Sequence, residues 1–101
     1  MRLLRRIEQA FIAKTVEETR RLLESDTPTH QKIAALQFAA AEEDRRIELR
    51  KARLGHHPQA RSRIQEIIAM RREAMLHYRF AARRLREGSK RLRFDEQPRV
   101  F

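Results

Sequence analysis

The sequence predicts an all-α fold of three long antiparallel helices, packed as a bundle or an extended, coiled-coil-like helical hairpin, with a short extended C-terminal tail. Three observations favour it. The 101 residues include only two glycines and three prolines, 38% of them are charged, and the apolar residues recur at helical spacing. Long helices accommodate this composition because they bury one face and display charge on the other. A chain of this length is expected to form a single domain.

Short turn-forming segments set the predicted helix boundaries. Pro28 falls in the first turn of the second helix, where its missing N–H costs nothing. Gly55 is the expected left-handed residue after that helix, and Pro58 can open the third. Gly88 is expected to end the third helix. The predicted helices cover about residues 2–24, 28–54 and 58–87 of one helical domain, 1–88.

The last residues, 89–101, are predicted to form a basic tail that is extended or flexible. Leu92 and Phe94 alternate as in an extended segment, and Pro98 cannot continue a helix. The tail could stay loose, fold back over the core of the chain, or dock onto a neighbouring subunit through its end at Phe101. The first two behaviours are favoured over docking.

A seven-residue apolar repeat marks the predicted core face of the second helix. This spacing keeps one seam directed at a neighbouring helix, as in coiled coils. Charged residues interrupt the seams, at Glu43 and Arg50 in the second helix and at Arg71 in the third. The residues at seven-residue spacing are Ile33, Ala40, Ile47 and Leu54.

The second and third helices each carry another apolar line on a different face. A helix at the edge of a three-helix bundle needs only one apolar stripe. The second line therefore predicts a further contact, by self-association or membership of a larger complex. The alternative is that the bundle buries both lines internally. The candidate partner-binding residues are Phe38, Leu49, Ala69, Leu76 and Phe80.

No arrangement of residues predicts catalysis, so we expect no enzyme, small-molecule substrate, cofactor or metal site. The chain has no cysteine, and its two glycines are too far apart to form a phosphate-binding loop. His56 and His57 are adjacent in a turn and lack the helical spacing of metal-binding pairs. Glu42, Glu43 and Asp44 point in different directions around a helix. They are expected to be solvated surface neutralised by the arginines that follow, or in part to meet the basic third helix.

Positive charge dominates the second half of the chain. Lys and Arg number 24 against 14 Asp and Glu, giving a net charge of +10, and all but four of the basic residues are arginine. Arginine binds phosphate and carboxylate through two parallel hydrogen bonds. Five arginines of the third helix fall within about 60° on a helical wheel, and three basic tail residues extend the charge. The candidate nucleic-acid-binding residues are Arg61, Arg72, Arg79, Arg83, Arg86, Lys90, Arg91 and Arg93.

Such a basic ridge is typical of contacts to nucleic-acid phosphates, which supply affinity without reading sequence. We therefore predict a non-catalytic basic helical subunit that binds the nucleic-acid phosphate backbone within a larger nucleoprotein assembly. The alternative is a protein–protein adaptor or scaffold in a secretion, phage or organellar assembly, with coiled-coil-like helices and an acidic protein partner. Binding to a membrane surface is disfavoured because the third helix lacks Trp and its apolar face is rich in Ala.

The predicted location is the cytoplasm, with an organellar matrix as the alternative. No apolar run approaches the roughly 20 residues that cross a bilayer, so no transmembrane segment is expected. The absence of cysteine fits a reducing compartment. The basic, amphipathic start of the chain could be a transit peptide, but Glu8, Glu17 and Glu18 argue against it because such peptides are poor in acids.

Overall fold

The computed structural model describes the backbone of residues 2–96 and the side chains of residues 6–88. Within that range the chain forms three helices, α1 (Arg2–Glu24), α2 (Thr29–Leu54) and α3 (Arg61–Glu96), and a 3₁₀ turn at Pro58–Ala60 precedes α3. Helix α2 pairs with α3 along most of its length, and α1 lies mainly against α3. The predicted all-α class with three long helices is confirmed.

Consecutive helices run antiparallel because their connections are short. Leu54, at the end of α2, packs near Ala60 at the start of the third segment. At the opposite end of the pair, Leu36 of α2 packs against Ala82 of α3. Helix α1 therefore runs alongside α3 in the same direction, which brings Leu23 and Leu85 to one groove.

The core is a seam between α2 and α3. Leu36 and Ile47 are its most deeply buried large side chains, at 1% and 2% exposure. The predicted seven-residue repeat supplies the α2 side of this seam, through Ala40 and Ile47 with Leu54 partly buried. The α3 residues that complete the two core clusters are Ile64, Ile68, Met75, Ala81 and Ala82.

The bundle is elongated, with principal extents of 69 × 25 × 18 Å and a radius of gyration of 17.9 Å. A compact domain of 100 residues has a radius of gyration of about 13 Å. A thin bundle has a narrow core and leaves much of each helix in contact with solvent. None of its described helices combines the length and the apolar character needed to span a membrane.

The predicted end of the third helix at residue 87 is wrong. Helix α3 continues through Gly88 to Glu96, so residues 89–96 are helical and not an extended tail. A glycine inside a helix costs about 1 kcal/mol relative to alanine, which good helix formers on both sides can offset. The rest of the predicted tail, 97–101 with Pro98, lies outside the described residues.

The left-handed conformation predicted for Gly55 is also wrong. Its φ of −72° and ψ of −22° are right-handed helical values. The amides of His56 and His57 both donate to the carbonyl of Arg53, so the turn closes without a left-handed residue. As predicted, Pro58 opens the next segment, as the first residue of the 3₁₀ turn.

Candidate nucleic-acid interface

The five predicted arginines of the third helix lie on the solvent side of α3. This helix packs against α2 through residues such as Ile68 and faces α1 through residues such as Ala81. The arginines lie beside the α3 seam that faces α2, and all five are exposed. The row extends over about 38 Å at 1.5 Å per residue. We term it the α3 ridge: Arg61, Arg72, Arg79, Arg83 and Arg86.

Among the described side chains, carboxylates neutralise little of the α3 ridge. Arg83 Nε lies 3.2 Å from Glu87 Oε1, in an exposed pair one helical turn apart. Such surface pairs are worth about 0–1 kcal/mol, so Arg83 can exchange its partner at little cost. Among the side chains of residues 6–88, no carboxylate lies within 4.0 Å of the other four ridge arginines, Arg61, Arg72, Arg79 and Arg86.

A different arginine of α3, Arg71, is neutralised inside the bundle. Its Nη1 donates to Glu43 Oε2 of α2 at 2.9 Å, and the two side chains are only 17% and 7% exposed. The guanidinium carbon also lies 5.1 Å from the centre of the Phe11 ring on α1. Arg46 adds a second, longer contact to Glu43 at 3.3 Å. This cluster connects all three helices.

The sequence left two alternatives for the acidic run Glu42 to Asp44. The first, that all three side chains form solvated surface, does not hold. Glu43 is buried and faces the third helix, which was the other reading. Glu42 pairs with Arg45 at 3.3 Å. Of the three, only Asp44 is exposed. One carboxylate of the three is used inside the bundle, and none of them approaches the α3 ridge within 4.0 Å.

Arg20 on α1 is a surface arginine that nearby carboxylates neutralise. It donates hydrogen bonds to both Glu17 and Glu24, one turn before and one turn after it. The bonds from Arg20, with a smaller contribution from Arg21, hold the pKa of Glu17 below its usual value. Arg72 and Arg79, by contrast, are exposed on α3 and have no carboxylate within 4.0 Å among the described side chains.

The remaining predicted basic residues lie on the last turns of α3. Because the backbone of residues 89–96 is helical, Lys90 follows Arg86 at i+4 spacing and continues the register of the ridge. Arg93 follows Arg86 by seven residues, the spacing that relates Arg72, Arg79 and Arg86, whereas Arg91 falls on a different face of the helix. The longer helix, which sequence reasoning missed, thus adds two register positions to the ridge, at Lys90 and Arg93, and places Arg91 on a different face.

The candidate partner-binding residues stay outside the core. Phe38 and Leu49 of α2 are 69% and 55% exposed, and Leu76 and Phe80 of α3 are 54% and 61% exposed. Ala69 is exposed as well. The bundle therefore does not bury the second apolar lines, contrary to the alternative considered from the sequence. The α2 line points away from α3, whereas the α3 line lies beside the ridge.

Two further side chains near the ridge were not among the predicted site residues. The guanidinium of Arg84 stacks over Phe80, 5.8 Å from the ring centre. His77 lies beneath the same region, and its Nε2 is buried without a hydrogen-bond partner. An arginine next to an exposed phenylalanine at i+4 is a signal the sequence contains. Across the residues the structure describes, no three acidic or histidine side chains converge to hold a metal ion.

Comparison of the chain with protein-family models, with curated proteins and with solved structures found no match. The function proposed below is therefore inferred from the residues of this chain and their arrangement.

Proposed function

We propose that this protein is a non-catalytic helical subunit that binds the phosphate backbone of nucleic acid through the α3 ridge, without reading base sequence, inside a larger nucleoprotein assembly. One observation carries the proposal. Four exposed arginines lie along one face of α3, and no carboxylate among the described side chains lies within 4.0 Å of them. Exposed, unneutralised arginines in a row attract a polyanion.

The dimensions of the ridge favour a nucleic acid over a small anion. Arg72, Arg79 and Arg86 recur every seven residues, which places them about 10 Å apart along the axis. Duplex DNA carries one charge per roughly 1.7 Å of its axis, so a phosphate lies within reach of each arginine whatever the register. The ridge is about as long as one duplex turn, roughly 34–36 Å.

Nothing on this face predicts base-specific reading. Among the side chains of residues 6–88, Phe80 is the single aromatic beside the ridge, so this part of the face lacks the succession of rings on which single-stranded bases stack. Arginines that lie along a helix and contact phosphates fix position but carry no sequence information. The expected binding is therefore strong at low salt and similar for unrelated sequences.

The test is fluorescence anisotropy with two unrelated duplexes at salt concentrations from about 50 to 300 mM. Five phosphate contacts predict that log K falls with log salt at a slope of about −4.5 on duplex DNA. The triple variant Arg72→Glu, Arg79→Glu, Arg83→Glu should lose binding at every salt concentration. Its control is Lys14→Glu, Lys51→Glu, Arg53→Glu, which changes the net charge equally through exposed residues of α1 and α2.

The control triple should keep most of the affinity and nearly the parent slope. Equal losses in the two triples would mean that binding follows net charge and not the ridge. Absence of binding by the parent at low salt, or a slope near zero, would contradict the proposal outright.

A second candidate function is an adaptor that binds an acidic protein through the same face. Leu76 and Phe80, exposed beside the ridge, favour it because protein interfaces combine a buried apolar centre with a charged rim. This function predicts that Leu76→Ala with Phe80→Ala weakens binding of the partner as much as the ridge triple does. Partners purified with the protein from its native host should then remain after nuclease treatment, whereas the first proposal predicts their release.

A further inference from the structure

The outer face of α2 carries an apolar line that no part of the bundle covers. It points away from α3, and its two large members, Phe38 and Leu49, are 69% and 55% exposed. Alanines occupy the other three positions of the line, and the exposed Arg45 lies on the same face between Ala41 and Leu49. Another helix can approach such a face to about 8–10 Å between axes. The line extends over about 27 Å at 1.5 Å per residue. We term it the α2 outer line: Ala34, Phe38, Ala41, Leu49 and Ala52, all exposed.

We propose that the α2 outer line binds the same line of a second copy of the chain, with the two α2 helices antiparallel about a two-fold axis near Glu43 and Asp44. In this arrangement Phe38 of each copy lies opposite Leu49 of the partner subunit. The two residues stand almost equally far from the axis, on opposite sides of it. Both large apolar side chains of each copy thereby leave water, as an isologous interface requires.

Charge along the centre of α2 is self-complementary only in the antiparallel orientation. Acidic Glu42 and Asp44 precede basic Arg45 and Arg46. Around the proposed axis, position 42 of one copy lies opposite position 45 of the other, so Glu42 of each copy faces Arg45 of the partner subunit. A parallel pair in register would place Glu42 against Glu42 and Arg45 against Arg45, and like charges placed together cost binding energy. Asp44, Arg45 and Arg46 are exposed, so all three are available at the surface.

The same charges explain why a second copy fits α2 and not α3. The apolar line of α3 lies beside the ridge, so two copies meeting there would bring Arg72, Arg79 and Arg83 of each into repulsion. The outer face of α2 carries both signs near its centre and presents no such row. A polyanion should not bind the outer face of α2 in preference to the ridge, because the carboxylates of Glu42, Asp44 and Glu48 border the line and repel it.

A helix pair of this length buries on the order of 1,000 Å², the lower limit for specific association. We therefore expect a dimer with a dissociation constant in the micromolar range. Sedimentation equilibrium from about 1 to 200 μM should show the parent passing from monomer to dimer. Phe38→Glu and Leu49→Glu should each raise the dissociation constant at least about tenfold, a change of roughly 1.4 kcal/mol.

The matched control is Leu76→Glu, which places the same charge on an equally exposed leucine of α3. It should leave the dimer intact. Circular dichroism of all three variants should match the parent because the replaced side chains are exposed. A parent that stays monomeric at about 200 μM would overturn the proposal. So would a dimer that Leu76→Glu dissociates and Phe38→Glu does not.

Disulfide formation tests the orientation, and the absence of native cysteine keeps the background clean. Phe38→Cys mixed with Leu49→Cys should give a covalent heterodimer, whereas each variant alone should give little. In the antiparallel pair, position 38 of one copy lies about 16 Å along the axis from position 38 of the other, too far for a disulfide. Faster cross-linking of Phe38→Cys with itself would overturn the orientation. None of these measurements uses nucleic acid, so they succeed or fail independently of the proposed function.

Discussion

At the scale of single residues, the contact that most defines the bundle is the one between Glu43 and Arg71. Each residue interrupts the apolar seam of its own helix, and the sequence shows the two interruptions separately. The structure joins them at 2.9 Å, with Glu43 only 7% exposed. A buried pair of this kind adds little net stability over an apolar pair, but it penalises any register in which one charge is left alone. It therefore fixes how far α2 slides along α3.

Removing one member of this pair should be costly. Glu43→Gln leaves the guanidinium of Arg71 partly buried without its counter-charge, and we expect a loss of about 3 kcal/mol in the free energy of unfolding. Replacing both residues by leucine should return the stability to within about 1–2 kcal/mol of the parent, because no charge is then left unpaired. Urea unfolding followed by circular dichroism measures both changes.

The control for this pair is Glu48→Gln, which removes a carboxylate from an exposed pair with Lys51. It should change the free energy of unfolding by less than about 1 kcal/mol. If Glu43→Gln were no more harmful than Glu48→Gln, the Glu43–Arg71 contact would not fix the bundle as described.

At the scale of helices, α3 differs most from the sequence prediction. Glycine near a helix end usually adopts a left-handed conformation and stops the helix. In the described chain no glycine has a positive φ, so neither Gly55 nor Gly88 performs that role. As a consequence, Lys90 continues the helical register of the α3 ridge. In an extended tail its position would not have been fixed relative to the ridge.

Substitution of Gly88 tests the continuous helix. A Cβ at this position would meet nothing within 4 Å, so Gly88→Ala should be accommodated without strain. We expect greater helical ellipticity at 222 nm and a gain of up to about 1 kcal/mol in stability, because alanine is the better helix former.

The opposite change supplies the comparison for Gly88→Ala. Gly88→Pro should reduce the helical signal, since proline removes a hydrogen bond and clashes with the preceding turn. Equal ellipticity in the alanine and proline variants would show that α3 ends before this residue.

At the scale of the whole molecule, an elongated shape is combined with a large positive charge. The net charge of +10 is spread over a bundle 69 Å long and at most 25 Å wide. Mutual repulsion of like charges destabilises a folded chain, and exposed ion pairs such as Arg83–Glu87 recover little of that energy. The unneutralised arginines that make the α3 ridge a candidate binding surface therefore also lower the folding stability of the free protein.

Salt should stabilise this protein in the absence of any ligand. Raising the salt concentration shortens the range of repulsion between ridge arginines, while the exposed pairs that it weakens contribute little. We expect the thermal midpoint to rise by about 4–8 °C between low and moderate salt, which corresponds to about 1 kcal/mol in a domain of this size. Differential scanning calorimetry at a fixed low protein concentration measures it.

The ridge triple Arg72→Glu, Arg79→Glu, Arg83→Glu should show a smaller rise with salt, because the repulsion that salt screens is already reduced. A midpoint that falls as salt is added would indicate that ion pairs, such as those of Arg20 with Glu17 and Glu24, outweigh the repulsion.

The amino-acid sequence by itself determined the three helices, their antiparallel order and the face of α3 that gathers the arginines. The helices and the arginine face follow from local rules: helical hydrogen bonds join residues four apart, and residues on one face recur every three or four positions. The antiparallel order follows from the short connections between consecutive helices. The tertiary structure alone decided which charges are neutralised and which apolar residues stay in water. Arg71 meets Glu43 across 28 positions of sequence, while Phe38 and Leu49 remain exposed. Such contacts depend on the register between helices, and many distant residues set that register together.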